Sequence, residues 1–405
     1  MIIRIIKRTF AALFALQVAV VAALMAIDAW RKRGRPQGKF PYRSFPPETV
    51  GESEIRVYVY GEELYADMLQ AIRNARERVF FETFIWKGDK VGQQFKDELQ
   101  RAAERGVAVY AVYDTFANLV VPPRFKRFPP SMHVLKYPND PRPWRYIKLR
   151  NLARNHRKTL TVDSDVAFVG GYNIGAAYAT DWRDTHVRIT GPDAWEIENT
   201  FVDFWNNHRG HLPAIPEHGA RTWDPRISVH RNDPQMLTFP IRSTYLEAID
   251  RAQHHIYITQ AYFIPDRIIR QALLAAAARG VDVQIVLPAT SNHIVVDWLA
   301  RGQYTRYLHG GIKLLLYQNA MVHAKTATMD GVWSMIGTAN IDRLSLLGNF
   351  EVNVEFYDRN VAQQMEQIFA TDLSNTHAPT LAEWERRPFY VKLSEAILSP
   401  LWPLL

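Results

Sequence analysis

Apolar and polar positions follow one another in blocks that predict buried strands and amphipathic helices in alternation. The segments VFFETFIW (79–86) and IYITQAYFI (256–264) are short, apolar and rich in β-branched and aromatic residues, which is typical of buried strands. Each is followed by a helical pattern that ends at Arg-Gly-Val (105–107 and 279–281) and then by another apolar strand. Strand–helix–strand order predicts an α/β fold whose parallel sheets carry helices on both faces.

One block of this pattern occurs twice at a constant offset. Residues 155–173 read NHRKTLTVDSDVAFVGGYN, and residues 322–340 read VHAKTATMDGVWSMIGTAN. Both copies predict β-hairpins with two-residue turns. The repeat predicts two homologous halves of the chain. Matched residues lie 167 positions apart, and they form the pairs His156/His323, Lys158/Lys325, Asp163/Asp330, Gly170/Gly337, Asn173/Asn340 and Asp184/Glu351.

The N-terminal part of the chain has the pattern of a membrane-spanning helix. The 19 residues from Thr9 to Ile27 contain no charged side chain and are just long enough to cross a bilayer core. Three basic residues precede this stretch and five follow it, with Trp30 placed to anchor its exit. A cleaved signal peptide and a buried helix of a soluble protein are the alternatives. The larger basic cluster on the C-terminal side favours a single-pass anchor with a cytoplasmic body.

Composition limits the classes of chemistry. The 405 residues include 47% hydrophobic and 22% charged residues, which excludes wholesale disorder. The absence of cysteine excludes disulfides, cysteine-ligated zinc, iron–sulfur clusters and a thiol nucleophile. The net charge of +8 suggests an anionic partner, which composition leaves open among phospholipid headgroups, nucleic acid and other phosphates.

The repeat and the local composition together divide the chain into five segments. We predict a membrane anchor or signal peptide at 1–30, a basic linker at 31–54 and a first α/β domain at 55–211. A linker rich in proline and turn-forming residues, 212–227, leads to a second α/β domain at 228–405, whose C-terminal tail has interfacial character.

Two basic stretches contain aromatic residues and are candidates for headgroup binding. Seven cations and no acid lie between Arg142 and Lys158, with Trp144 and Tyr146 among them. The segment PPRFKRFPP (122–130) is similar and predicts an interfacial loop. A solvated loop and a nucleic-acid contact are the alternatives for such stretches.

The repeated histidine and lysine are the candidate catalytic residues. Side chains two positions apart on a strand share a face, so His156 and Lys158 point the same way, as do His323 and Lys325. This arrangement places a nucleophile or proton carrier beside a cation. It suits an anionic tetrahedral phosphorus, where lysine stabilises non-bridging oxygens and a neutral imidazole attacks.

The remaining repeated polar residues complete this set. Asn173 and Asn340 lie at the ends of the second hairpin strands and can donate hydrogen bonds to the same centre. Asp184 and Glu351, each 28 residues after a histidine, can accept an imidazole N–H and fix the tautomer. Bringing the halves face to face would supply one histidine as nucleophile and one as acid and base.

The motif H-x-K-x4-D occurs as His156-Lys158-Asp163 and again as His323-Lys325-Asp330, and it resembles the signature of the phospholipase D superfamily. The stretches QAYFIPD (260–266), 323–354 and LSPLWPLL (398–405) are similar to the bacterial cardiolipin synthase branch. The sequence departs from that branch at Thr338, where serine is common.

The resemblance implies two tandem phospholipase D-like α/β domains related by a pseudo-twofold axis. It also implies a two-step transfer through a phosphohistidine, with no cofactor and no metal. His156 and His323 would be the paired histidines, with His156 as the nucleophile. The phosphate-binding residues would be Lys158, Lys325, Asn173 and Asn340, and the carboxylates that orient the rings would be Asp184 and Glu351. We expect Asp163 and Asp330, although part of the catalytic motif, to cap hairpin turns rather than touch substrate.

Together with the sequence features, the resemblance implies an enzyme in a bacterial cell membrane that makes cardiolipin from phosphatidylglycerol or a related phospholipid. Its expected partners are phospholipids and the membrane, without nucleic acid or metal. A hydrolytic phospholipase D, a nucleic-acid phosphodiesterase and an inactive membrane scaffold are the alternatives. The residues themselves do not separate transfer from hydrolysis, because that choice depends on the access of water to the intermediate.

Overall fold

The computed structural model describes residues 39–138 and 153–398, together with Ala22 and Ala26. The predicted anchor within 1–30, the aromatic residues Trp144 and Tyr146 and the tail beyond residue 398 lie outside these residues. Among the helices that are described, none has both the length and the apolar character needed to cross a membrane.

The first half of the chain forms an eight-stranded mixed sheet in the order β1-β2-β9-β7-β6-β3-β4-β5. Strands β3, β4 and β5 are parallel, and the other neighbours are antiparallel. The strands are β1 (Glu48–Val50), β2 (Ser53–Tyr58), β3 (Arg78–Thr83), β4 (Ala108–Asp114), β5 (Met132–Tyr137), β6 (Thr159–Val162), β7 (Val166–Gly170), β8 (Trp182–Arg183, outside this sheet) and β9 (His186–Thr190). The helices are α1 (Gly61–Asn74), α2 (Lys90–Glu104), α3 (Ala176–Thr180) and α4 (Ala194–His208).

The second half repeats this plan in the order β10-β19-β17-β16-β11-β13-β14-β20. Its strands are β10 (Ile227–Asn232), β11 (His255–Gln260), β12 (Phe263–Ile264), β13 (Asp282–Pro288), β14 (Lys313–Tyr317), β15 (Met321–Val322), β16 (Lys325–Met329), β17 (Trp333–Gly337), β18 (Ile341–Asp342), β19 (Glu351–Phe356) and β20 (Thr376–His377). Its helices are α5 (Pro240–Arg251), α6 (Arg267–Ala278), α7 (Ile294–His309), α8 (Arg343–Leu347), α9 (Arg359–Leu373), α10 (Leu381–Glu385) and α11 (Phe389–Leu398).

The predicted parallel pairing is present in the units β3–β4–β5 and β11–β13–β14, but each sheet as a whole is mixed. The motif hairpins β6–β7 and β16–β17 lie beside those units and add antiparallel strands. The predicted helix ends are confirmed. Gly106 after α2 and Gly280 after α6 have φ of +91° and +92°, the left-handed conformation that ends a helix.

The predicted linkers agree with the structure only in part. Residues 212–226 contain no helix or strand, and β10 begins at Ile227. Strand β1 and the start of β2 fall within the predicted basic linker 31–54, so its last residues belong to the first sheet. The domain limits themselves stay a prediction.

The two halves share a hydrophobic core. Apolar side chains of β2, β7 and β9 pack against side chains of β17, β19 and α9 in one continuous cluster. Because β7 and β17 are the second strands of the two motif hairpins, this packing brings both motifs to the contact between the halves. Parallel pairing of β15 with β8 joins the halves again.

Candidate active site

His156 lies where the first motif meets the second half. Its backbone N–H donates to the carbonyl of Phe350 (3.0 Å), and a parallel bridge joins Asn155 to the same residue. Phe350 precedes Glu351, the first residue of β19, so this contact brings Glu351 beside the histidine. Nδ1 of His156 lies 2.9 and 3.0 Å from the two carboxylate oxygens of Glu351, and both side chains are buried.

His323 occupies the equivalent position in the second motif. Its backbone N–H donates to the carbonyl of Arg183 (2.7 Å), which ends β8. Asp184 follows directly, and its Oδ2 lies 2.6 Å from Nδ1 of His323. Each histidine is therefore paired with the carboxylate of the other half, and the site needs both halves.

Burial and these carboxylates decide the protonation of the two imidazoles. Burial lowers the pKa of His156 and lowers the pKa of His323 to about 3, so both rings are neutral near pH 7. Although burial opposes ionisation of Asp184, Lys325 and His323 lower the pKa of its carboxyl. The hydrogen bond to a carboxylate assigns the ring proton to Nδ1, which leaves the lone pair on Nε2.

Lys158 and Lys325 lie against the histidines of their own motifs. Each Nζ donates to the carbonyl of the histidine two residues earlier, and Nζ of Lys325 also lies 2.9 Å from Nδ1 of His323. Burial lowers the pKa of Lys158 to about 7 and that of Lys325 to about 8. Both ammonium groups therefore titrate close to physiological pH, and a bound anion would favour their charged form.

The two half-sites differ in the residue that contacts the orienting carboxylate. Thr338 Oγ1 donates to Glu351 Oε2 (2.6 Å) and accepts from the backbone N–H of Val352 (2.9 Å). The matched residue in the first half is Gly171, where an added Cβ would lie 2.0 Å from Asp184 Oδ1. Glycine is thus required beside the aspartate, while a hydroxyl residue positions the glutamate.

The repeated asparagines also differ in their contacts. Oδ1 of Asn173 accepts from the backbone N–H of Ile85 (3.1 Å), which fixes this amide. Oδ1 of Asn340 is buried and has no hydrogen-bond partner in the described part of the chain. Asn340 is thus the asparagine whose amide is less restrained.

Asp163 and Asp330 do not join the histidines. Asp163 accepts from the backbone N–H groups of residues 76–78 at 2.8–2.9 Å, and Asp330 accepts from those of residues 253–255 at 2.7–2.9 Å. Both aspartates have positive φ in their hairpin turns, +52° and +53°. Their carboxylates tie each turn to the start of the neighbouring strand, β3 or β11, which is a structural contact.

His156 opens onto a cavity of about 1480 Å³ that both halves line. The first half contributes apolar side chains such as Phe84, Tyr113 and Phe116, and the second contributes Ile264 and Leu344. The polar residues of the lining include Lys126, Arg127, Lys136, Arg154, Asn340 and Asp342. Asp342 is the one acid among the lining residues that the structure describes, and burial raises the pKa of its carboxyl to about 7. The cavity thus combines apolar walls with a polar lining in which the charged residues are mostly cations.

Sequence reasoning missed two buried contacts behind the histidines. Arg183 donates to both carboxylate oxygens of Asp372 (2.7 and 2.6 Å) and so joins the halves next to Asp184. In the first half, Asn155 Nδ2 donates to Glu82 Oε1 (2.7 Å). Neither contact has an equivalent in the other half, so the repeat contained no signal for them.

No cluster of three or more His, Cys, Asp or Glu side chains suited to a metal ion occurs within 39–138 and 153–398. The expectation of metal-independent chemistry stays a prediction.

Comparison with known proteins identifies the family. The family model described as cardiolipin synthase, PLD-like domain, matches residues 68–205 and 245–373. A cardiolipin synthase of Staphylococcus aureus (strain Mu50) is 32% identical over 371 residues, which cover 87% of this chain and 74% of that protein. The major cardiolipin synthase of Bacillus subtilis (strain 168) is 31% identical over 369 residues, 87% of this chain and 76% of that protein.

A solved structure shares the fold. The phosphatidylserine synthase of Haemophilus influenzae Rd KW20 superposes with a TM-score of 0.67 at 15% identity, covering 86% of this chain and 93% of that one. The fold and the two motifs thus define a two-domain enzyme of the phospholipase D type. The chain belongs to the cardiolipin synthase family with phospholipase D-like domains, and it is a phospholipid phosphatidyltransferase of that type.

Proposed function

We propose that this enzyme makes cardiolipin by transferring a phosphatidyl group from one phosphatidylglycerol to a hydroxyl of a second, with release of glycerol. The observation that carries the proposal is the pair of buried histidines, each in contact at Nδ1 with the carboxylate of the other half, beside a cavity with apolar walls that His156 lines. The cardiolipin synthases of Staphylococcus aureus and Bacillus subtilis support the choice of lipid.

In the first step, Nε2 of His156 attacks the phosphorus of the donor. The bond from phosphorus to the glycerol oxygen breaks, and the glycerol oxygen takes a proton from His323. This leaves a phosphatidyl group on His156. We assign the attack to His156 because it lines the cavity in which the donor lipid would lie.

Protonation of His323 depends on the substrate. Burial lowers the pKa of the His323 imidazole, so the ring is neutral in the free enzyme. The negative charge of a phosphate bound beside it stabilises the imidazolium form. Lys158, Lys325, Asn173 and Asn340 bind the non-bridging oxygens in this proposal and stabilise the charge of the transition state.

In the second step, His323 acts as the base. It takes the proton from the hydroxyl of the acceptor lipid, whose oxygen attacks the phosphorus and displaces Nε2 of His156. The product is a diphosphatidyl lipid, and both histidines return to their starting state. The apolar cavity supports lipid over water as the acceptor.

We further propose that residues 1–30 form a single-pass anchor in a bacterial cell membrane, with the catalytic body in the cytoplasm. Removing these residues should release a folded protein, because the described halves lie beyond them. Full-length protein that fractionates as soluble, or that begins near Asp28 after export, would contradict the anchor.

The function is tested by incubating purified full-length protein with phosphatidylglycerol vesicles in the presence of a chelator. We expect a diphosphatidyl lipid and free glycerol in equal amounts, and none of either with His156→Ala. Phosphatidic acid as the sole product would indicate a hydrolase instead. Cleavage of single-stranded DNA in a parallel reaction would indicate a nucleic-acid phosphodiesterase, and loss of all turnover with chelator would contradict metal-independent transfer.

A further inference from the structure

The cavity beside His156 is bordered by exposed apolar side chains from both halves, which we call the apolar rim. Phe116, Leu119 and Val120, in the turn after β4, are 56%, 65% and 83% exposed. Leu344 of α8 is 47% exposed. Phe116, Leu119 and Leu344 also line the cavity, so the rim continues directly into its apolar interior.

The turn that carries most of the rim is held in place. Asn118 Nδ2 donates to the carbonyls of Phe84 (2.8 Å) and Asp114 (2.7 Å), and its Oδ1 accepts from the backbone N–H of Trp86 (2.8 Å). Nζ of Lys126 donates to the carbonyl of Asn118 (2.9 Å). These buried polar contacts fix the backbone of the turn. The exposed side chains of Phe116, Leu119 and Val120 therefore project from a fixed backbone.

The segment that carries most of the apolar rim is basic. Residues 115–138 contain four cations, Arg124, Lys126, Arg127 and Lys136, and no aspartate or glutamate. The guanidinium of Arg154 also lies 4.9 Å from the centre of the Phe116 ring. Apolar side chains flanked by cations complement an anionic lipid bilayer, whose interior is apolar and whose headgroups are negatively charged.

The predicted interfacial segment 122–130 supplies cations here but not aromatic contacts. Phe125 is buried against Trp86, with 5.8 Å between ring centres, and Phe128 packs on the same indole at 5.5 Å. Because Phe125 is buried, it offers no exposed apolar surface. The exposed apolar side chains here belong to the preceding turn, at Phe116, Leu119 and Val120.

We propose that the apolar rim inserts into the surface of an anionic phospholipid bilayer, so that lipids enter the cavity without crossing water. This inference rests on the proposed function, because both lipids of that reaction carry acyl chains that are costly to expose to water. The continuity of the rim with the cavity and its positive surroundings favour a bilayer over a second copy of this chain.

The contact is tested with single-cysteine labelling, since the chain has no cysteine of its own. Full-length Val120→Cys carries an environment-sensitive dye and is reconstituted in phosphatidylglycerol-rich vesicles that contain a lipid-borne quencher. The matched control is Glu52→Cys, an exposed residue in the turn between β1 and β2 at the sheet edge opposite β5. We expect quenching of the label at position 120 and none at position 52. An unquenched label at position 120 would overturn the proposal, as would a signal that depends only on protein concentration, which would indicate a contact between copies.

Turnover supplies an independent readout. Because Val120 does not line the cavity, Val120→Asp should lower transfer on vesicles about tenfold while transfer from monomeric short-chain phosphatidylglycerol stays within about twofold. The transfer rate of Val120→Thr on vesicles should lie between the rates of Val120→Asp and the wild type. Equal losses on both substrates, or no loss on vesicles, would overturn the proposal. Wild-type protein inactive on both substrates would contradict the proposed function instead, while the quenching result would still report on the membrane contact.

Discussion

Glu351 of the second half holds Nδ1 of His156 of the first half at 2.9 Å, and Asp184 holds His323 in the reciprocal contact at 2.6 Å. The exchange makes each half-site dependent on the other half. A separated half would retain its histidine and lysine but would lack the carboxylate that fixes the imidazole tautomer.

The first prediction concerns that carboxylate. Glu351→Gln keeps the shape of the side chain but removes the charge and allows the wrong tautomer of His156, so kcat should fall about 10³-fold. The matched control is Glu366→Gln, which disrupts a histidine–glutamate contact of 2.5 Å with His255 away from the cavity. Steady-state kinetics should show a normal kcat for the control. A normal kcat for Glu351→Gln would contradict the claim that Glu351 orients the imidazole of His156.

The second prediction separates the hydroxyl of Thr338 from its methyl group. Thr338→Ala removes a hydrogen bond of 2.6 Å to Glu351 and should lower kcat about tenfold with little change in KM. Thr338→Ser retains the hydroxyl and should restore kcat to within about twofold of the wild type. Equal losses in both variants would indicate that packing, and not positioning of Glu351, explains the residue.

The third prediction concerns pH. Burial lowers the pKa of Lys158 to about 7 and that of Lys325 to about 8, so deprotonation should lower phosphate binding as pH rises through this range. Because burial lowers the pKa of His156, the acidic limb of kcat/KM should lie below the usual histidine value of about 6.5. The measurement is kcat/KM against pH from 5 to 9.5. A profile that is flat above pH 7 would contradict the role of the lysines.

The fourth prediction concerns the aspartates of the motif. Asp163→Ala removes the acceptor of three backbone N–H groups and should cost about 1–3 kcal/mol of unfolding free energy, with kcat of the folded protein within about twofold of the wild type. Asp163→Asn keeps an acceptor and tolerates the positive φ, so it should recover much of the stability. Urea denaturation and kinetics together test this. A large loss of kcat in a stable variant would show that Asp163 takes part in catalysis.

The fifth prediction concerns the ion pair between the halves. Asp372→Asn leaves the buried Arg183 guanidinium without its counter-charge and should destabilise the protein by about 3–5 kcal/mol. Replacing both residues by Met and Leu should cost clearly less, because no uncompensated charge remains. The measurement is the denaturation midpoint of each variant. A double variant as unstable as Asp372→Asn would show that the ion pair itself is required.

The sequence was informative about the candidate site for the residues that belong to the internal repeat. The constant offset identified the hairpins, the histidines, the lysines and the orienting acids, because both halves use the same local structure. It did not show which acid meets which histidine. The carboxylate exchange arises from pairing between the halves, Asn155 with Phe350 and β15 with β8, and such long-range pairing leaves no local pattern.

Burial explains the other differences between expectation and structure. The segment 122–130 has the composition of an interfacial loop, yet Phe125 packs on Trp86 while nearby Val120 is exposed. Composition does not tell which aromatic residues of a loop turn inward. Thr338 was visible in the sequence only as a departure from serine, and its contact with Glu351 depends on how β17 and β19 pair.

The central claim is that the two histidines form one shared site in which His156 carries the phosphatidyl group. The most direct measurement is to react enzyme with phosphatidylglycerol labelled at phosphorus, quench it rapidly and map the label by peptide mass spectrometry. We predict label on His156 in the wild type and its accumulation in His323→Ala, because that variant lacks the base for the second step. His156→Ala should carry no label. Label on His323 of the wild-type enzyme would reverse the roles, and label on both histidines in independent amounts would contradict the shared site.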